Sequence, residues 1–238
     1  MIRPVLELTD VSKAYGGLRP LRIQQLTVAA GQRVAILGFD QPMAEVFVNL
    51  ITGAALPDRG TVAAFGRPTS AIVDSAEWLT FVDRFGIVSE RAVLLEGMTV
   101  LQNLALPYTL EIEPPPDATR IQAERLAEEV GLPAVLWSAR IADLDGTARA
   151  AVRIARALAL DPGILLLEHP TAGVERDRVP ALGSRIRAVS ERRSAAVVAV
   201  TADQVFADAL SGRTFQLEPA TGRLTERGQN RWFRRRLG

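Results

Sequence analysis

The chain predicts an α/β protein with a mixed central sheet, an antiparallel β edge and a helical subdomain, and three observations carry that prediction. Two unbroken apolar runs, residues 164–167 and 196–200, have the character of strands buried on both faces of a parallel sheet. Helical stretches at 178–190 and 204–210 stand where crossovers between such strands are required. Two alternating segments, 5–11 and 22–28, flank the turn signal Gly16-Gly17 and supply the antiparallel edge.

The elements follow in order. Residues 33–37 are a short apolar run that stops at Gly38, and 43–51 have helical spacing ahead of Gly53, which suits a C-terminal cap. After the turn-forming Pro57-Asp58-Arg59-Gly60 the chain returns as a strand over 61–65. Helical segments at 99–106 and 118–130 are separated by Pro114-Pro115-Pro116, which no helix crosses. Between 146 and 160, Ala151, Ile154, Ala155 and Leu158 recur at helical spacing, while Arg149, Arg153 and Arg156 share the other side as a solvated arginine face. There is no internal repeat.

Composition bounds the function. With 238 residues, 48% apolar and 23% charged, the chain can bury a sizeable core. Lys plus Arg (28) nearly balances Asp plus Glu (27), so no overall field attracts nucleic acid, and no nucleic-acid partner is expected. Cysteine is absent and His169 is the single histidine, which argues against a metal site built from thiolate or imidazole. No stretch approaches the roughly 18 consecutive apolar residues of a membrane span, and the N-terminus does not resemble a signal peptide. Any link to a membrane is therefore expected to run through a partner. At the other end, residues 229–238 form a basic tail in which Trp232 and Phe233 sit among Arg231, Arg234, Arg235 and Arg236. It reads as a solvated tail or as a contact for lipid headgroups or a neighbouring subunit.

The stretch ARALALDPGILLLEHPTAGV, residues 155–174, closely resembles the ATP-binding subunits of ABC transporters, from the signature helix through the Walker B strand to the D-loop. AGQRVAILG, NLITGAALPDRGTV and GMTVLQNLALP match further segments of that family in the same order, and Tyr15 stands where the adenine-stacking aromatic lies. The resemblance implies the ABC-type P-loop NTPase fold, with a core formed by residues 1–96 and 141–228 and a helical subdomain at 97–140. TVLQNLALPYTLE is similar to cassettes of lipid-trafficking systems, without naming a cargo.

The departures from the family pattern fall on chemistry. A P-loop needs G-x-x-x-x-G-K-[ST], so that backbone N–H groups wrap the phosphates, lysine neutralises them and the hydroxyl holds Mg²⁺. Here the loop is GFDQPMAE: Gly38 and Asp40 precede a loop in which Pro42 removes a donor, Met43 replaces the second glycine, Ala44 the lysine and Glu45 the hydroxyl. A lysine ammonium roughly 4 Å from a phosphate oxygen is worth about 4 kcal/mol at an effective dielectric near 20. Its loss alone implies a drop in affinity on the order of a thousandfold. Glu45 adds a negative charge where the anion would lie.

The other motifs change in the same direction. Walker B ends in Glu168 and His169 in place of Asp-Glu, so Glu168 can still serve a metal while His169 is a poor substitute for the catalytic carboxylate. Glu90 takes the Q-loop glutamine position, Ala202 the switch histidine and Glu175 the D-loop aspartate. The signature LSGGQ reads Leu144, Asp145, Gly146, Thr147 and Ala148, with a carboxylate facing the phosphate.

Together these imply little or no ATP hydrolysis and no cofactor held firmly, with weak Mg-ATP binding still open. In the family, the region following the Q-loop receives a helix of the transmembrane subunit. Here that groove spans residues 86–107, with Val93, Leu94, Leu95 and Met98 as apolar partner-binding candidates. The expected protein is a non-catalytic nucleotide-binding subunit of a bacterial-type transporter. Its partners are a transmembrane permease and a second cassette, equal or different, and it is cytoplasmic, at the inner face of the membrane. An atypical ATPase using Glu168 and a stand-alone scaffold protein are the alternatives.

Overall fold

The pleat of two central strands sorts the core into two halves. The computed structural model describes residues 4–228. β7 (Ile164–Glu168) and β8 (Ala196–Val200) are buried at every position. Successive side chains of a strand point to opposite faces. Leu165, Leu167, Val197 and Ala199 accordingly enter one apolar cluster, and Ile164, Leu166, Ala196, Val198 and Val200 enter the other. Two-sided burial is why these runs carry no polar alternation.

The remaining elements are β1 (Pro4–Lys13), β2 (Leu21–Ala29), β3 (Arg33–Leu37), α1 (Gln41–Ile51), β4 (Arg59–Ala64), β5 (Arg67–Pro68), α2 (Ser75–Val82), β6 (Phe85–Val88), α3 (Val100–Ala105), α4 (Asp117–Glu129), α5 (Gly146–Ala157), α6 (Val179–Arg193), α7 (Gln204–Leu210), β9 (Arg213–Glu218) and β10 (Arg223–Arg227). One sheet has the order β10-β9-β3-β8-β7-β6. Its β3–β8, β3–β9, β7–β8 and β6–β7 pairs are parallel and β9–β10 is antiparallel, so it is mixed.

The antiparallel edge is realised as a sheet of its own, in the order β2-β1-β4-β5, and not as the margin of the central sheet. Leu6, Leu8 and Val11 of β1 and Leu21, Ile23, Leu26 and Val28 of β2 bury their side chains against α1 and one face of the central sheet. The step from Leu8 to Val11 breaks strict alternation because Asp10 adopts a left-handed φ of 51° and the register against β4 shifts there, which returns Val11 to the core. On the other face, α5, α6 and α7 pack with α3 and α4 in one continuous cluster. Arg193 joins α6 to α4 by donating to both carboxylate oxygens of Glu129, at 2.9 and 2.5 Å, and to the Leu158 carbonyl at 2.7 Å.

Several elements escape sequence reading. α2 begins at the cap Asp74, whose carboxylate accepts from Glu77 N–H, but its apolar residues form no clean stripe and Leu79 stays exposed. Its anchor is the Trp78 indole, which donates to the Thr52 carbonyl at 3.0 Å. β6 is four residues long, too short to stand out from the loop that follows. The β9–β10 hairpin buries Leu217 and Thr214 but is otherwise half exposed. The basic tail lies outside the described residues.

Candidate functional site

The site gathers at the carboxyl ends of β3, β6 and β7, with α1 opening directly above them. Leaving β3, the chain turns at Gly38, whose φ of +98° is left-handed and whose missing side chain lets Gln216 and Leu217 approach. An added Cβ would meet Gln216 Nε2 at 2.7 Å and the Leu217 carbonyl at 3.0 Å, so packing alone demands glycine here. Phe39 then turns inward, buried and edge-on to Phe47 with ring centroids 5.1 Å apart. Met43 and Ala44 are also in the core.

The amino terminus of α1 is closed by the chain itself. Asp40 is the cap: its Oδ1 accepts from Met43 N–H at 2.8 Å, and its carbonyl accepts from Ala44 N–H at 3.0 Å. Pro42 in the first turn has no N–H. A helix start is a natural place for an anion, and here a covalently attached carboxylate already occupies it. Tyr15 lies close enough to Asp40 for that charge to add to the larger effect of burial, and together they push the phenol pKa up. The ring folds back over its own loop, where a Cβ on Gly17 would come within 2.9 Å of it.

Glu168 ends β7 with its side chain wholly removed from solvent. Gln41 Nε2 donates to Oε1 at 2.5 Å and Arg91 Nη2 donates to Oε2 at 2.7 Å. The same guanidinium reaches Glu45 through Nη1, 3.1 Å from Oε1. A single cation from the loop after β6 therefore bridges a carboxylate of α1 and one of β7. Arg91 is held in turn by its backbone N–H, which donates to Ser89 Oγ at 3.1 Å. Two of the expected site carboxylates thus share one cationic partner, Glu168 buried and Glu45 partly exposed. The residue that sequence reasoning missed is Arg91, one arginine among many with no motif to mark it.

The other positions are spread around this centre. His169 follows at a left-handed φ of 43°, with its backbone N–H donating to the Val200 carbonyl at 2.9 Å and its Nε2 buried without a hydrogen-bond partner among the described residues. Glu90 and Ala202 are exposed, and Ala202 has no side-chain donor to offer. Glu175 is exposed within 3.9 Å of Arg178. Asp145 caps α5, accepting from Ala148 N–H at 2.7 Å, while Leu144 and Ala148 are buried. Gly146 is pressed against the loop after β7: an added Cβ would sit 1.7 Å from the Gly173 carbonyl oxygen. The Thr147 hydroxyl is buried without a partner among the described residues.

The arginine face of α5 is not solvated as expected. Arg149 makes a two-pronged pair with Glu96, both contacts 2.7 Å, and Arg156 donates to the Val93 carbonyl at 2.8 Å while burial lowers its pKa. Arg153 Nε is buried without a hydrogen-bond partner among the described residues. Arg149 and Arg156 strap down the loop that carries the partner-binding candidates. Within that loop Val93 is 68% exposed and Leu95 38%, while Met98 is half-buried. Leu94 is a correction: it is 4% exposed and belongs to the core. A groove lined by Phe85, Ile87, Ala92, Pro107, Arg156 and Leu160 runs beside Val93.

Comparison with known proteins gives a consistent picture. The family model described as ABC transporter matches residues 21–172. The chain is 28% identical to the lipoprotein-releasing system ATP-binding protein LolD of Saccharophagus degradans, over 96% of this chain and 100% of that one. Against LolD of Pseudomonas syringae pv. tomato the identity is 32%, covering 85% and 87%. The methionine import ATP-binding protein MetN of Brucella abortus is 28% identical, over 83% of this chain and 53% of that protein. Among solved structures, the dimeric ATP-binding cassette MJ0796 bound to ADP and Pi superposes with a TM-score of 0.74 at 23% identity, covering 94% of this chain and 100% of that one. CbiO1 from Clostridium perfringens superposes with a TM-score of 0.78 at 18% identity, covering 93% and 87%. The last two likenesses concern the fold.

Proposed function

Since the chain belongs to the ABC transporter family of ATP-binding subunits, we propose that it is a non-catalytic member, a structural or regulatory subunit that assembles with a permease and a second cassette in transmembrane transport. The observation that carries this reading is the amino terminus of α1. The carboxylate of Asp40 caps the helix where phosphate would be held, and no lysine follows to offset a triphosphate's charge. The residues present do not fit magnesium-nucleotide: the Glu168 carboxylate is committed to Arg91 and Gln41, and the switch position offers no donor.

What is retained is surface. Val93 and Leu95 stand exposed beside the groove at the end of β6, the side that receives a transmembrane helix in this family, and Glu96 and Asn103 hold their loop in place. No helix among the described residues is long and apolar enough to cross a membrane; in this reading the chain meets the inner face of the membrane through that partner. The relatives are named for two different cargoes, lipoprotein release and methionine import.

Equilibrium binding of Mg-ATP to the purified chain, carried to millimolar nucleotide, tests the reading. Absence of saturable binding is expected. Saturable binding in the micromolar range would instead favour the second reading, an atypical ATP-hydrolysing subunit, to which the ATP-binding names of the relatives lend support. Loss of turnover in Glu168→Ala would then place this carboxylate at the metal.

A further inference from the structure

We propose that Arg91 is a built-in cation that closes the carboxylates of Glu45 and Glu168 against divalent metal. The two acids come from α1 and β7, far apart in the chain, and meet at one guanidinium, 3.1 Å from Glu45 Oε1 and 2.7 Å from Glu168 Oε2. Burying a carboxylate as completely as that of Glu168 is costly without a positive partner beside it. In the absence of a side chain to supply it, the available partner is a hard cation from solution. The donors around the guanidinium are hard oxygens, two carboxylates with the Gln41 amide able to turn its oxygen inward, enough for a weak site completed by water.

Arginine suits this role because its charge is spread over a planar group that is less strongly hydrated than an ammonium. Its planar fork meets both acids at once, which a lysine ammonium does not match in geometry. Arg91 itself is 40% exposed and arrives from a loop, so the cation is inserted from outside, whereas the carboxylates belong to fixed elements. Removing it leaves the acids in place and open to metal. The inference rests on this ion geometry and stands whether or not the transport reading does.

The experiment is titration with Mn²⁺ alone, followed by the loss of the free-ion electron paramagnetic resonance signal. Wild-type protein is expected to take up no stoichiometric Mn²⁺ at millimolar concentration. Arg91→Ala is expected to bind one ion with a dissociation constant of roughly 0.1–1 mM, the range of weak all-oxygen sites. Arg91→Ala/Glu168→Gln is expected to lose it. Arg91→Gln, which keeps a hydrogen-bond donor beside Glu168, carries the same expectation if the alanine variant does not fold. One Mn²⁺ bound by wild type and abolished by Glu168→Gln would overturn the proposal. So would a folded Arg91 variant that binds none.

Discussion

Replacing Arg91 by alanine removes the cation from a carboxylate that has no access to water, and the geometry sets the size of the effect. Glu168 is fully buried and accepts one charged hydrogen bond from Arg91 at 2.7 Å and one neutral bond from Gln41 at 2.5 Å. Breaking a buried pair from one side typically costs about 3–5 kcal/mol, because the remaining charge is left without compensation. The Arg91 side chain is 40% exposed, so water enters behind it and the expected loss falls to about 2–3 kcal/mol. Glu168→Gln removes the charge and keeps the shape. The new amide can turn its oxygen to Arg91 while the Gln41 amide turns to accept, so the expected loss is about 1 kcal/mol. In the double variant neither partner is left stranded. Its loss is expected to be smaller than that of Arg91→Ala alone, with a coupling of about 1–2 kcal/mol. Urea unfolding at pH 7, followed by far-ultraviolet circular dichroism, measures all three against wild type. A loss below about 0.5 kcal/mol for Arg91→Ala, or strict additivity in the double variant, would refute the account of a buried, paired Glu168.

Three further outcomes follow from other contacts. Gly146→Ala places a Cβ 1.7 Å from the Gly173 oxygen, well inside the 3.0 Å that real contacts respect. The expected loss is about 1–3 kcal/mol despite alanine's better helix propensity, and a raised thermal midpoint would contradict it. Arg193→Ala strips Glu129 of its two-pronged partner, both side chains being about four-fifths buried, and is expected to cost about 2–3 kcal/mol. Hydrogen exchange should then accelerate in α4 before it does in the central sheet. Asp58 is held below its ordinary pKa of 3.8, first by the Ala14 backbone N–H and then by Lys13. A depressed carboxylate contributes stability that is fully present above the ordinary value and is lost as pH falls through the lower folded value. Asp58→Asn should remove that acid-limb dependence, read from stability measured between about pH 5 and pH 2.

Much of the architecture was legible because each signal was local. Continuous apolar runs at 164–167 and 196–200 predict two-sided burial, and both strands are buried throughout. Thr99 closes a capping box with Gln102 at the start of α3, within a residue of the predicted helix boundary. The separation of the antiparallel strands into their own sheet was not legible, since pairing is a property of strands brought together and not of either segment. α2 stayed hidden for a related reason. Its hold on the fold is the indole hydrogen bond to Thr52 and the one buried ring of Phe81, which packs against Phe65 and Phe85, and two isolated anchors leave no periodic trace.

The candidate site divides along the same line. By itself the sequence determined the family, and with it the positions at which Ala44, Glu45, His169, Ala202 and Asp145 stand, because those positions are defined by order along the chain. Which groups satisfy the site was decided by the tertiary structure alone. Residues 45, 91 and 168 share no spacing that marks them as partners, and an ion pair forms wherever folding brings opposite charges into a place with too little water to screen them. Val93 and Leu94 show the same limit over one step of the chain. Both are apolar and adjacent, yet one is 68% exposed and the other 4%, because in an irregular loop the backbone path, and no periodicity, determines which side chain faces the core.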